Sequence, residues 1–239
     1  MRQGRFWLMA LCLFGLFGCA SIPEGQQADG RDPWERYNRA VFDFNMEVDA
    51  AVVKPLAEGY QAAVPEVVRG MVRHFFGNLN DLVTSVHHLL QGEPTEALTA
   101  AGRFLVNSTL GFFGVSDPAS ELGLAKSRED FGLTLGVWGA GSGPYLVLPL
   151  LGPSTVRDGL GTAVDMTLDP LDPVFDSSQS SRNTAVGLRL LDTRVTLLGL
   201  EPALSALSFD RYSAVRDAYL ARRAQQVNPN APFRDETEE

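Results

Sequence analysis

The apolar residues of segment 67–79 recur in adjacent pairs, Val67-Val68, Met71-Val72 and Phe75-Phe76, with Leu79 following. Spacing of i, i+1, i+4, i+5, i+8 and i+9 fits one broad face of an α-helix and not a strand, whose side chains alternate with a period of two. Comparable faces are carried by Tyr37, Val41, Phe42, Phe44 and Val48, then by Leu82, Val83, Val86, Leu89 and Leu90, and by Leu98, Phe104, Leu105 and Val106. After residue 19 no stretch reaches 18 uncharged apolar residues, so no helix is predicted to span a bilayer in the ordinary way. The chain is therefore expected to be mainly α, in one domain, built from helices that each need apolar surroundings on one side.

Local signals place the helix ends. Asp32 reads as an N-cap, with Pro33 at the first helical position and Glu35 completing a capping box. Pro55 and Pro65 punctuate the chain, Gly77-Asn78 is expected to break the next helix, Asp81 to cap its successor and Gly92 to end it. A further helix is predicted over 94–110, where Ala100-Ala101-Gly102 forms a thin patch that permits close helix approach. Eight glycines and three prolines crowd residues 132–161. Segment 145–151 is nearly all apolar, but Pro149 argues against a central strand, and an irregular segment with glycine hinges fits better. Two Asp-Pro steps make 165–175 turn-like, residues 177–181 read as a polar loop, and helices are predicted over 182–200 and 210–226.

The compartment is written at the N-terminus. Arg2 and Arg5 precede an uncharged run from Phe6 to Phe17, the form of a secretory signal occupying residues 1–18. The run ends in Leu16-Phe17-Gly18-Cys19, which resembles a bacterial lipobox, with Phe17 bulkier than usual at its position. Cys12 lies inside the removed segment, so Cys19 would be the only mature cysteine, a lone thiol that lipidation explains. Ala20 after it points to the outer membrane. Residues 19–31 form a flexible tether, 32–226 the folded body and 227–239 an acidic disordered tail. Three acyl chains would anchor the protein permanently, each buried methylene contributing ~0.8 kcal/mol.

Among 239 residues, 29 acids against 20 Lys plus Arg give a net charge of −9, becoming −11 once Arg2 and Arg5 are removed. That balance excludes a nucleic-acid partner, which requires a basic footprint. A hydrophobic fraction of 45% excludes a disordered chain. The positive charge is almost all Arg, since only Lys54 and Lys126 are lysines.

Catalytic and metal-binding patterns are missing. His87 and His88 are adjacent and project about 100° apart, and with His74 they make no HExxH spacing. Gly139-Ala140-Gly141-Ser142-Gly143 is followed by Pro144 and not by a helix, which disfavours a phosphate cradle. Glu129-Asp130 and Asp169/Asp172 read as solvated faces and turn caps. With no nucleophile–base pair, no metal site and no catalytic residue, the chain is not expected to be an enzyme.

Longer motifs carry a resemblance. Asp32-Pro33-Trp34-Glu35-Arg36-Tyr37-Asn38-Arg39 with Phe42-Asp43-Phe44-Asn45, then Phe76-Gly77-Asn78-Leu79, Leu90-Gln91-Gly92, the segment from Arg103 to Gly111, the segment from Glu129 to Gly139, Gly143-Pro144-Tyr145, Pro149 through Asp158, and Arg211-Tyr212 with Val215 to Tyr219 together resemble the MlaA (VacJ) family of outer-membrane lipoproteins over residues 32–220. The resemblance implies a ring of amphipathic helices lying in the periplasmic leaflet of the outer membrane around a central polar channel. It implies removal of mislocalised phospholipids from the outer leaflet, association with a trimeric porin, and delivery to a periplasmic lipid carrier protein. No cofactor is implied beyond the covalent N-acyl and S-diacylglycerol groups on Cys19. Phe44 and Asn45 match a motif that holds the lipid path closed on one side, and helix packing is the competing reading. Gly139, Gly141 and Gly143 flank a mobile apolar loop and are hinge candidates against simple turn geometry. Arg103 and Arg157 are lipid-phosphate candidates for which salt bridges to acids are the favoured alternative. Phe75, Phe76 and segment 145–151 are candidate leaflet contacts. The competing function is a non-conducting structural lipoprotein that scaffolds porins or envelope assembly.

Overall fold

The computed structural model describes residues 29–174, 179–199 and 210–229. The signal, Cys19, most of the tether and most of the acidic tail lie outside the described residues. Helix α1 (Glu35–Val48) runs through a π-helical turn (Asp49–Val53) into α2 (Lys54–Ala63). Pro55 thus does not end the helix. The wider turn just before it absorbs the missing N–H and the ring's clash with the preceding carbonyl. Pro65 does end α2: Val64 before it is extended, at φ −111° and ψ 120°.

Helix α3 (Glu66–Gln91) is one uninterrupted 26-residue element, so the break expected at Gly77-Asn78 does not occur. Gly77 serves close packing instead, since a Cβ there would lie 2.7 Å from the Lys126 ammonium. Asp81 is not a cap but a mid-helix residue, 1% exposed and paired with Arg103. Gly92 terminates α3 in the left-handed conformation, φ 80°, as a helix C-terminus favours. Helix α4 (Pro94–Thr109) folds back on α3 in the most extensive helix pair among the described residues. Gly102 faces open space and is not what lets the two approach; small buried Ala97 and Ala100 do that.

Short α5 (Pro118–Glu121) and α6 (Phe131–Val137) lead to a β-hairpin of β1 (Tyr145–Leu148) and β2 (Gly152–Thr155), antiparallel with Tyr145 opposite Thr155 and Leu148 opposite Gly152. Segment 145–151 therefore begins as a strand, contrary to expectation. Pro149 sits in the turn, and a two-stranded sheet has no central strand for it to disrupt. Helices α7 (Val156–Asp165), α8 (Leu171–Val174), α9 (Gln179–Leu198) and α10 (Arg211–Val227) complete the described chain. Residues 179–181, expected in a loop, are already helical. Glycines bring α6 and α7 together: a Cβ on Gly161 would fall 2.3 Å from the Gly132 backbone nitrogen.

The hydrophobic core is small. Val41 and Phe42 of α1, Tyr145 and Val147 of β1 and Tyr212 of α10 form it, with Phe42 and Tyr145 edge-on to Tyr212 at 5.6 and 6.2 Å.

Candidate functional site: an inverted helical scaffold and its clamped hairpin

The helices are packed with their polar sides inward. On α3 the buried residues are Arg69, Asn78, Asp81, Thr84, Ser85, His87 and His88, while Leu82, Val86, Leu89 and Leu90 are exposed. On α4 Arg103 and Asn107 are buried, and Leu98 and Leu105 face out at 73% and 61% exposure. Among the described residues 27 large hydrophobic side chains are exposed, whereas 21 polar or charged residues are buried against 13 hydrophobic ones. Single exposed apolar residues are ordinary on a protein in water. An apolar face on helix after helix, with the polar faces packed inside, marks an interaction surface.

The polar interior is held by saturated ion centres. Arg103, 1% exposed, donates from Nε to Asp81 (3.2 Å), from Nη1 to Ser120 Oγ and the Leu124 carbonyl (3.1 and 2.6 Å), and from Nη2 to both Asp117 oxygens (2.9 and 3.0 Å). All five guanidinium N–H groups are thereby used. Burial pushes the Asp117 carboxyl up, but hydrogen bonds from Ser120, Asn107 and Arg103 outweigh it and hold it at about 2. For Asp81 burial prevails, and its pKa is raised despite Lys126 and Arg103 nearby.

A second centre joins α6, α7 and α10. Arg223 forks onto Asp130 (2.7 and 2.9 Å) and onto Asp158 (3.0 and 2.8 Å), and Tyr219 donates to Asp158 at 2.8 Å. Burial raises both carboxyls, but Arg223 more than offsets it and lowers them. Asp130 also caps α6 by accepting from Leu133 N at 2.9 Å. Its neighbour Glu129 is half-buried and has its pKa raised by burial, against a hydrogen bond from Gln91. His87 is buried between Thr134 Oγ1 (3.1 Å) and Asp165 (3.3 Å), and His88 between Glu93 (2.7 Å) and Ser127 (2.9 Å). The two rings serve different partners. Among the described residues no group of His, Cys, Asp and Glu is arranged to hold a metal ion.

The hairpin is clamped to α1 by two asparagines seven residues apart, hence on one helix face. Asn38 donates to the Tyr145 carbonyl at 3.1 Å and accepts from Val147 N at 2.8 Å. Asn45 repeats the pattern one step along, donating to the Leu148 carbonyl at 3.0 Å and accepting from Leu150 N at 2.7 Å. Asp32, expected to cap α1, is instead buried and accepts from Asn38 (2.7 Å) and from the Tyr212 hydroxyl. Between α3 and α9 an apolar groove of about 600 Å³ is lined in part by Met71, Phe75, Phe76, Ala185 and Leu188.

This geometry has relatives. The family model described as MlaA lipoprotein matches residues 30–226. The chain belongs to that family. A protein of Escherichia coli strain K12 named intermembrane phospholipid transport system lipoprotein MlaA is 34% identical over 240 residues, covering 95% of this chain and 94% of that protein. Its namesake in Shigella flexneri matches to the same extent, 34% over 240 residues. A solved structure described as the structural basis for maintenance of bacterial outer membrane lipid asymmetry superposes with a TM-score of 0.70 at 33% identity, covering 82% of this chain and 99% of that one. The mainly helical MlaA fold is thus shared, and among the described residues no helix is long and apolar enough to cross a membrane.

The residues singled out from the MlaA resemblance fall in distinct places. Asn45 is the clamp on the hairpin turn, and Phe44 beside it is 38% exposed. Gly139 and Gly143 adopt left-handed backbone, φ 93° and 66°, in the loop entering β1, and Gly141 between them has open space around it. Arg103 is walled in by its carboxylates and carbonyl, with no N–H left for a phosphate. Arg157, 8% exposed, spends Nε and Nη2 on Asp158 and Nη1 on the Ala140 carbonyl, which ties the glycine loop to α7. Both arginines pair with buried carboxylates, the salt-bridge arrangement that competes with a phosphate contact. Phe75 and Phe76 are half-buried beside the groove, not fully outward. Cys19 lies outside the described residues. Asn38 and Arg223 were missed as keystones, although the i, i+7 repeat of Asn38 and Asn45 was visible.

Proposed function

We propose that this protein is an outer-membrane lipoprotein, anchored through acylated Cys19, that removes phospholipids strayed into the outer leaflet and passes them to a periplasmic carrier. The inverted burial of α3 and α4 carries this reading. Helices with outward apolar faces and no spanning length lie in the plane of a leaflet, where hydrocarbon takes the place of a core. Their inward polar faces hold the helices to one another, and the groove beside Phe75 and Phe76 offers apolar volume for chains. A trimeric porin would hold the protein in register with both leaflets. No bond in the lipid is made or broken. The names of the family's relatives support the same process.

The test is the amount of aminophospholipid at the surface of intact cells, labelled with an amine reagent that does not cross the membrane. Cells lacking the protein should label more strongly, and a plasmid copy should restore the low level. Unchanged labelling together with defective porin assembly would replace this reading by the scaffold. A Cys19→Ala copy should lose fatty-acid label and fail to complement.

A further inference from the structure

Three non-glycine residues among those described have left-handed backbone: Phe112 (φ 52°), Phe113 (φ 60°) and Leu150 (φ 63°). Such positions normally go to glycine or asparagine, because a Cβ is strained there. Here each carries a large apolar side chain, exposed by 78%, 82% and 69% respectively. Phe112 and Phe113 are the two most exposed large hydrophobic residues described. The sequence thus accepts strain twice in succession in order to hold two phenylalanine rings outside the fold.

The turn that presents them cannot relax. Gly114 N donates to the Asn107 carbonyl at 2.8 Å, Phe113 N to that of Ser108 at 3.0 Å and Ser116 N to that of Gly111 at 3.0 Å. A Cβ on Gly111 would lie 2.4 Å from the Asn107 carbonyl oxygen, and one on Gly114 2.6 Å from Asn78 Nδ2. Asn78 and Asn107 belong to the buried polar faces of α3 and α4. Strain of this kind persists where the surroundings over-determine it, and it marks functional positions.

Two further observations choose the occupant. No charged residue occurs over 104–116, and the tip side chains Leu110, Phe112 and Phe113 are all apolar, continuing the outward leucines Leu98 and Leu105 of α4. The backbone N–H groups of Leu110, Gly111, Phe113, Gly114, Val115 and Ser116 are bonded within the turn and the helix end. Among residues 110–116 the N–H of Phe112 alone is not bonded in this way, and each bond that is made lowers the cost of entering hydrocarbon, where an unpaired backbone group finds no water. We propose that the 110–113 tip is a membrane-inserting prong whose phenylalanine rings enter the acyl-chain region of the leaflet, its partner being phospholipid hydrocarbon.

The prong rests on the leaflet placement proposed above, and one experiment separates the two. Full-length lipidated protein is reconstituted into phosphatidylethanolamine–phosphatidylglycerol vesicles, with an environment-sensitive NBD label on Phe113→Cys, Leu98→Cys or Glu121→Cys. Labels at 113 and 98 should emit at blue-shifted wavelength and be quenched by nitroxides on the acyl chains, while the exposed acidic position 121 stays water-like. Water-like emission at 113 with quenching at 98 would overturn the prong and leave the leaflet placement standing. Water-like emission at both would overturn both. Shielding at 113 only after purified porin trimer is added would make the tip a protein contact and also overturn the proposal. A Phe112→Gly/Phe113→Gly protein, relieved of strain, should unfold no more readily than the parent, so that its loss of vesicle perturbation reports the rings and not misfolding.

Discussion

Replacing Asn45 by alanine should loosen the hairpin turn while leaving the rest of the molecule in place. The side chain makes two hydrogen bonds to the backbone of the hairpin turn, to the Leu148 carbonyl and from Leu150 N. A net contribution of about 1 kcal/mol for each gives ~2 kcal/mol. The turn holds a strained residue as well, since Leu150 at φ 63° costs ~1–2 kcal/mol that Asn45 helps to oppose. Loss of ~2 kcal/mol corresponds to about a 30-fold rise in the open fraction of the turn. Amide hydrogen exchange should show it locally, with Leu150 exchanging about 30-fold faster and Val147, still bonded to Asn38, unchanged. Adding Leu150→Gly removes the strain and should recover part of the protection. Unchanged exchange at Leu150, or an equal acceleration at every amide, would refute the clamp. Cells carrying Asn45→Ala should also show altered surface aminophospholipid, because the turn it releases presents exposed Leu150 and Leu151.

Arg103→Met should be severely destabilising, by ~3–5 kcal/mol in denaturant unfolding, because it strands the buried Asp81 and Asp117 carboxylates; Arg103→Lys should rescue little, having no fork for the five acceptors. Gly161→Ala should prevent α6 and α7 from docking, since its Cβ meets backbone at 2.3 Å, whereas Gly102→Ala, with open space around it, should raise the melting temperature through ~1 kcal/mol of helix propensity. Acid titration should remove stability between about pH 4 and pH 2. Asp117, at about 2 in the fold and 3.8 ordinarily, is a depressed carboxyl whose contribution is full above pH 4 and lost as pH falls toward its folded value. Asp81, raised by burial, acts with the opposite sign and gains stability as pH falls, so Asp81→Asn should make the net acid loss steeper.

Helix positions were legible because period 3.6 is a property of the chain itself, and the predicted segments 94–110, 182–200 and 210–226 differ from the observed helices by a few residues at their ends. What failed were local end signals outbid by distant partners. Asp81 looked like a cap until Arg103, 22 residues on, claimed it. Asp32 gave up its cap for Tyr212, 180 residues away. Gly77 looked like a breaker and is a space left for Lys126. The inversion was hidden for a deeper reason. Periodicity says that α3 has an apolar and a polar side, but the direction in which each points is decided by what surrounds the molecule, which no local pattern encodes.

That inversion also explains where motion is permitted. A protein whose apolar faces look outward cannot be held together by an oil-like interior, so its cohesion must come from directional bonds. Arg103, Arg223 and Asn38 supply them, joining residues 22, 93 and 109 apart in sequence. Directional bonds fix geometry more sharply than apolar packing does, since a shifted partner loses a hydrogen bond outright instead of sliding. The scaffold around α3, α4, α6 and α10 is therefore stiff, and compliance concentrates where such bonds thin out. The loop from Gly139 to Gly143 is tied to α7 at the Ala140 and Ser142 carbonyls, at 3.3 and 3.1 Å, and its glycines have open or left-handed backbone. It leads directly into the hairpin that Asn38 and Asn45 hold from the other side. The segment is thus softly attached at one end and held at the other by the two asparagines of α1, so the clamp is its stronger restraint.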